Sequence, residues 1–237
     1  MQILVTLCGR GGSKGIPGKN IRLINGLPLI AYSINHAKQF AKLHNADIAL
    51  STDSEAIIEI AAELGLQTTY LRPEHLSNDS AGKVETIQHL VEFEETNRGV
   101  KYDLVLDLDI SSPLRNVNDL EQAFQIITND ENALNLFSVN KANRNPYFNM
   151  VEIYDNGYFG LVKKGDFLTR QSAPTVYELN ASFYFYKRTF FNQPLIKTIS
   201  ERSLIYEMQH ICFDLDHPID FEFMEYLMVN DKLGFNL

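Results

Sequence analysis

Residues with chemical potential cluster at two kinds of place in this chain. The first is the run Gly9-Arg10-Gly11-Gly12-Ser13-Lys14-Gly15-Ile16-Pro17-Gly18-Lys19-Asn20, in which five glycines and three cations fall within twelve residues, directly after the apolar stretch QILVTLC. Glycines let backbone N–H groups approach an anion closely, and arginine and lysine neutralise its charge, so the segment reads as a phosphate cradle. It is not a Walker A loop, because no G-x-x-x-x-G-K-[ST] threads through it. Nor is it G-x-G-x-x-G, since Lys14 stands where the third glycine belongs. The second is a repeated Asp-x-Asp pattern, Asp107-Leu108-Asp109 and Asp214-Leu215-Asp216. Residues i and i+2 of an extended chain point the same way, so each pair offers two carboxylates on one face. Such hard oxygens suit Mg²⁺, which shares its shell with waters and substrate phosphates. An aspartate at a strand end also caps turns, and the spacing alone does not choose between the two pairs.

Other polar residues give a weaker signal. Arg72 and Lys83 flank RPEHLSNDSAGK and either face a nucleotide or stay solvated. Arg170 and Asn180 bracket TRQSAPTVYELNAS, beside aromatic strands, where a structural role is the plainer reading. The six histidines (36, 44, 75, 89, 210 and 217) show no metal-ligand spacing and read as structural or surface residues. Cys8 reads as a buried core thiol. Cys8 and Cys212 form no C-x-x-C, which argues against a disulfide framework or zinc site and fits a reducing cytoplasm.

These side chains need a frame, and the apolar pattern supplies one. Strands are expected at 2–8, 48–51, 68–71 and 103–109. Helices are expected at 28–41, 55–64, near 82–97 and near 118–129, with Ser54 capping the second and Gly65 closing it. Strands alternating with helices imply a mainly parallel sheet covered on both faces, which places ligands at the carboxyl ends of the strands. The rhythm breaks over 134–187, a segment rich in aromatics and asparagine. It reads as a strand, an extended antiparallel excursion at 147–176 and the return strand ASFYFYK. A helix over 217–232 closes the chain, with Phe221, Met224, Leu227 and Met228 on its apolar face. One α/β domain with a protruding β insertion is expected.

Composition narrows the function classes. Hydrophobic residues make up 45% and charged residues 22%, an ordinary globular balance. A net charge of −9 leaves no broad basic footprint for nucleic acid. No apolar run reaches the roughly 18–20 residues that span a bilayer. The opening MQILVTLCGRGG lacks the basic start and long apolar core of a signal peptide.

CGRGGSKGIPGKN (8–20), followed by INGLPLIAYSI (24–34), resembles the opening signature of the CMP-sugar synthetases that activate nine-carbon 2-keto acids. STDS (51–54), LRPEHLSNDSA (71–81), SSPLR (111–115) and FDLD (213–216) follow in the same order, so the resemblance covers nearly the whole chain. It implies a Rossmann-like nucleotidyltransferase fold and a reaction of CTP with a nonulosonic acid to give the CMP-sugar and pyrophosphate. By resemblance, Arg10 and Lys19 hold phosphate oxygens with Lys14 assisting, and with Asp216 they form the catalytic set. Cys8, Gly9, Gly11, Gly12 and Ser13 belong to the nucleotide cradle, and Asn20 lies near the ribose. Arg72, Ala81 and Lys83 line the cytidine pocket. Asp214 and Asp216 match the Mg²⁺-binding carboxylates, with Mn²⁺ as a substitute ion. Asp109, Ser111, Arg115, Gln171 and Asn180 match the sugar side. Arg170 matches an arginine that reaches the partner subunit's sugar site, which implies a homodimer built through an insertion at about 140–178.

Sialate-activating members usually read Gln-Pro-Thr-Ser-Pro-Leu-Arg where this chain has Asp109-Ile110-Ser111-Ser112-Pro113-Leu114-Arg115. A carboxylate only accepts hydrogen bonds, whereas an amide also donates. That departure, with RNPYFNMVE (144–152) and TRQSAPTVYELNAS (169–182), resembles the legionaminate-activating branch, with sialate activation as the alternative. Three other classes compete. A small-molecule kinase would want its own phosphate motif, a noncatalytic nucleotide sensor has little use for an Asp pair at a strand end, and an interaction protein leaves the basic glycine loop unexplained.

Overall fold

A computed structural model describes residues 1–237 except 14, 79 and 194–196. The chain opens with β1 (Ile3–Cys8), the glycine loop and a single 3-10 turn at Lys19–Ile21. The short strands β2 (Leu23–Ile24) and β3 (Leu27–Pro28) form a hairpin that leads into α1 (Leu29–His44). Next come β4 (Asp47–Ser51), α2 (Glu55–Glu63), α3 (Lys83–Arg98), β5 (Leu104–Leu108) and α4 (Val117–Asn129). Four strands follow: β6 (Asn135–Lys141), β7 (Val151–Ile153), β8 (Phe159–Leu161) and β9 (Tyr177–Lys187). The chain ends with β10 (Ser203–Glu207) and α5 (Pro218–Val229).

Six strands form the central sheet in the order β10-β6-β9-β5-β1-β4. β1 pairs in parallel with both β4 and β5, and β10 with β6, while β9 runs antiparallel between β5 and β6. Side chains alternate across this sheet. Ile3, Val5 and Leu7 of β1 and Leu104, Leu106 and Leu108 of β5 join one core with α1, α2, α4 and α5. Leu4 and Val105 face the other way, toward α3 with its Val84, Ile87, Leu90 and Val91. Thr6 and Asp107 share the α3 side by the same alternation, and they are cross-strand partners. This register sets up the site.

The expected helices are present, and Ser54 accepts a hydrogen bond from the Ile57 N–H as the cap of α2. The strand expected at 68–71 does not form. There the Thr68 hydroxyl donates to Leu50 O at 3.2 Å and accepts from the Tyr70 N–H at 3.1 Å, satisfying backbone groups that a ladder would otherwise use. The antiparallel excursion is the β7–β8 hairpin. The return strand starts at Tyr177, four residues before ASFYFYK, because β9 continues along β6 past a bulge between Phe137 and Val139. β10 and the β2–β3 hairpin are further elements that apolar periodicity does not reveal.

Candidate active site

The carboxyl ends of β1 and β5 and the first turn of α3 surround an open cleft of about 440 Å³. Cys8, Gly9, Arg10, Gly12, Ser13, Lys19 and Asn20 line one wall, and Arg72, Ala81 and Lys83 the other. Asp109 and Ser111 lie at the floor, and Asp216 closes the far edge. Gly11 supports its wall from behind, donating its N–H to Asp53 Oδ1 at 2.8 Å. Lys14 lies outside the described residues.

The loop is pinned at several points. The Gly9 N–H donates to Ser51 O at 3.0 Å and the Asn20 amide to Arg10 O at 2.9 Å. The Lys19 ammonium donates to Leu215 O at 2.7 Å, tying the loop to the second Asp-x-Asp segment. Gly15 completes that contact, since a Cβ there would stand 2.2 Å from the Asp216 carbonyl oxygen. The glycines therefore serve close approach between chain segments as well as access to an anion. On the opposite wall Arg72 is buried, donating Nε to Ser51 Oγ at 2.9 Å and Nη2 to Ser51 O at 2.7 Å.

The two Asp-x-Asp pairs differ in their surroundings. The Lys83 ammonium sits 2.7 Å from Asp109 Oδ2 and 3.2 Å from Asp107 Oδ2, so an ammonium already serves the first pair. Burial alone would raise the Asp109 carboxyl, but Lys83 and the Ser111 hydrogen bonds hold it down at about 2. Burial raises Asp107, and the charge of Asp109 adds to that against the pull of Lys83. In the second pair Asp216 is exposed along the cleft edge. The Asp214 carboxyl is raised by burial and then by the negative charge of Asp109. Asp214 and Asp216 are hard oxygen donors of the kind Mg²⁺ takes, yet only Asp216 lines the cleft, while Asp214 Oδ1 accepts from the Leu215 N–H at 2.8 Å. Among the described residues no three His, Cys, Asp or Glu side chains converge as a complete cage.

The residues expected on the sugar side divide. Asp109 and Ser111 line the cleft. Arg115 does not: it is fully buried, and its guanidinium donates to the carbonyls of Asp109, Ser112 and Ser182 and to the hydroxyls of Ser33 and Ser182. It fastens the floor from beneath. Asn180 is also buried away from the cleft, accepting from the Ser138 hydroxyl at 2.6 Å beside the β6–β9 bulge, where Ala181 has φ +61°. Arg170 and Gln171 are exposed on the excursion, with Arg170 donating to Ala142 O at 2.9 Å. Cys8 is only partly buried and reaches the cleft, a correction to the core thiol expected, although burial and Asp107 push its thiol up. His36 is buried and held neutral, with burial and then Arg115 lowering it to about 3.

Sequence reasoning overlooked Thr86, Leu76, Asn78 and Ile110 among the lining residues, and Asp53 behind the loop. Thr86 lies one helical turn after Lys83, a spacing that shares a face and offered a usable signal. Asp53 sits in the STDS motif, whose position after β4 hinted at support for the loop.

A family model described as cytidylyltransferase matches residues 5–233. The post-translational flagellin modification protein B of Campylobacter coli is 40% identical over 232 residues, covering 98% of this chain and 97% of that relative. The CMP-N,N′-diacetyllegionaminic acid synthase of Campylobacter jejuni is 39% identical over 227 residues, covering 96% and 95%. Among solved structures, a CMP:2-keto-3-deoxy-manno-octonic acid synthetase complexed with CTP superposes with a TM-score of 0.69 at 17% identity, covering 98% of this chain and 100% of that one. At that identity the likeness establishes the fold alone, mixed α/β with a mainly parallel sheet.

Proposed function

The chain belongs to the cytidylyltransferase family, and on that premise we propose that it joins CMP from CTP to the anomeric C2 hydroxyl of N,N′-diacetyllegionaminate and releases pyrophosphate. One observation carries this reading. The basic glycine loop and Asp216 line one cleft, and Lys19 Nζ on Leu215 O at 2.7 Å joins the loop to the segment that carries Asp214 and Asp216. A phosphate cradle and a pair of hard carboxylates then act on the same triphosphate.

Arg10, Lys19 and the loop N–H groups hold the phosphate oxygens and orient the α-phosphorus for in-line attack. The C2 hydroxyl forms the new P–O bond as the bond to pyrophosphate breaks, and its proton leaves to solvent. Such a transfer asks the protein for positioning and charge stabilisation rather than a covalent nucleophile. Asp214 and Asp216 would hold Mg²⁺, or Mn²⁺ in its place, which when bound neutralises phosphate charge and acidifies the attacking hydroxyl. Asn20 and Arg72 face the nucleoside end of the cleft, and Asp109 and Ser111 accept the sugar acid.

The legionaminate assignment is supported by Asp109, an acceptor-only group where sialate-activating relatives carry an amide, and by the name of the Campylobacter jejuni relative. A homodimer is supported by the β7–β8 excursion, which leaves Ile153, Tyr158, Phe159 and Leu168 largely exposed. Arg170 and Gln171 on that excursion then approach the partner's cleft. CTP supply places the reaction in the cytoplasm. The reaction as proposed calls for neither a nucleic acid nor a membrane. Among the described residues no helix is long and apolar enough to cross a membrane.

Pyrophosphate release from CTP and Mg²⁺ tests the reading against N,N′-diacetyllegionaminate, N-acetylneuraminate, pseudaminate and a 3-deoxy-octulosonate. Preference for the first is expected, and Asp109→Gln is expected to shift that preference. Preference for neuraminate overturns the substrate, and silence toward every acid overturns the reaction.

A further inference from the structure

Asp109 is fixed from every side. Its Oδ2 takes the Lys83 ammonium at 2.7 Å, and its Oδ1 accepts from the Ser111 N–H at 2.9 Å and the Ser111 hydroxyl at 2.8 Å. Its carbonyl accepts from the Ser33 hydroxyl at 2.9 Å and from both terminal nitrogens of Arg115 at 3.1 Å. Its own N–H donates to Ser182 O at 3.0 Å. The side chain nevertheless stays 21% exposed at the cleft floor. A carboxylate engaged on both oxygens and through its main chain points in one direction rather than following a ligand.

Lys83 is fixed in turn from below. Its Nζ stands 3.2 Å from Asp107 Oδ2 and 4.3 Å from the centre of the Tyr184 ring. Asp107 is 1% exposed, and its Oδ1 accepts the Thr6 hydroxyl at 2.9 Å. Strand register explains the alignment, because Thr6 lies opposite Asp107 and Asp107 opposite Tyr184 across three neighbouring strands. Asp107 Oδ2 has no hydrogen-bond partner among the described residues, so its hold on Lys83 is ionic. A buried carboxylate is costly unless it is paired, and Lys83 is the cation that pairs with this one. With a carboxylate oxygen at 2.7 Å and another at 3.2 Å, the Lys83 ammonium is already engaged, and a phosphate would have to compete with both for it.

Resting on the reaction proposed above, we infer that Thr6, Asp107 and Lys83 form a positioning chain that aims Asp109 at the sugar acid. Lys83 then belongs to sugar selection rather than to the phosphates or the cytidine pocket. Asp109, held in one orientation, accepts from N–H or O–H groups of the acid and penalises an acid that presents an acceptor there. Asp107 and Thr6 touch no substrate and act only through Lys83.

The test compares the wild type with Lys83→Met, Asp107→Asn and the double variant. It reads kcat/KM for N,N′-diacetyllegionaminate and for N-acetylneuraminate, and calorimetric Kd for CTP. Lys83→Met is expected to lower the ratio of the two kcat/KM values about tenfold, with CTP affinity little changed. Asp107→Asn shifts the ratio in the same direction by less, and adds nothing in the Lys83→Met background. Should Asp107→Asn fail to fold, Thr6→Val loosens the same link from its far end and shifts the ratio likewise. Equal losses for both acids, or Asp107→Asn and Lys83→Met effects that multiply, reduce the chain to a structural ion pair and overturn the inference. So does a lost CTP affinity with an unchanged ratio. If the wild type turns over neither acid, the proposed reaction itself fails. The CTP arm then still decides, since affinity lost in Lys83→Met overturns this inference and affinity kept upholds the exclusion of Lys83 from the phosphates.

Discussion

Gly15→Ala is a one-methyl perturbation whose consequence follows from a single distance. The new Cβ would stand 2.2 Å from the Asp216 carbonyl oxygen, and the neighbour is backbone, which cannot rotate away. Ordinary contact begins at 3.4 Å, so the loop and the Asp214–Asp216 segment must part by about 1.2 Å. The separation also stretches the 2.7 Å hydrogen bond from Lys19 Nζ to Leu215 O beyond useful length. A misplacement of about 1 Å in a positioned site costs about 10²-fold in rate. Gly15 itself is exposed, which leaves the core packing in place. The assay is steady-state pyrophosphate release with CTP and N,N′-diacetyllegionaminate, with Tm measured on the same preparations. The expected result is a loss of about 10²-fold in kcat/KM, with Tm lowered by no more than about 4 °C. A kcat/KM within about threefold of wild type would refute the claim that cradle and carboxylates must be held in register.

Asp216→Asn keeps the shape of the side chain and removes its charge. Turnover is expected to fall by at least about 10²-fold with the fold intact by circular dichroism, and near-normal kinetics with Mg²⁺ would contradict its role at the triphosphate. Arg115→Met removes one of the donors to each of the carbonyls of Asp109, Ser112 and Ser182, and the donor to the Ser33 hydroxyl, in a buried pocket. The cost is at least about 3 kcal/mol, read as a Tm drop of about 6–12 °C. Unchanged Tm would mean the buried guanidinium does not hold the floor. His210 Nε2 lies 2.9 Å from Asp119 Oδ2, and Asp119 raises the imidazole above 6.5 despite burial. The imidazolium's stabilisation is therefore fully present below pH 6.5 and lost as pH rises through the raised value. Asp119, held below 3.8 against burial by its bond to His210, stays charged at the acid end. His210→Gln should accordingly lower Tm by about 2–4 °C more near pH 5.5 than near pH 8.5, and a pH-independent difference contradicts the pairing.

Much of the site was legible because its signals are local. A glycine-rich basic run after an apolar strand can be read without knowing what packs on it, and Gly9, Arg10, Gly12, Ser13, Lys19 and Asn20 of that run line the cleft. Arg115 was misread for the opposite reason. SSPLR says nothing about which way the guanidinium points, and here it turns inward to the Ser182 carbonyl and the Ser33 hydroxyl, both far away in sequence. The Lys83–Asp107 contact was likewise hidden, since it depends on the β1–β5 register and on where α3 begins. In the fold, periodicity located the long amphipathic helices and central strands. The segment at 68–71 has strand-forming residues, yet the Thr68 hydroxyl diverts its backbone. Local propensity yields to such tertiary choices.

The central claim is that one cleft transfers CMP to a sugar acid, and ³¹P NMR of a single reaction mixture tests it most directly. With CTP, Mg²⁺ and N,N′-diacetyllegionaminate, the account predicts a new phosphodiester resonance from the CMP-sugar growing in step with pyrophosphate. Pyrophosphate with free CMP and no phosphodiester, or CDP with inorganic phosphate, would contradict it.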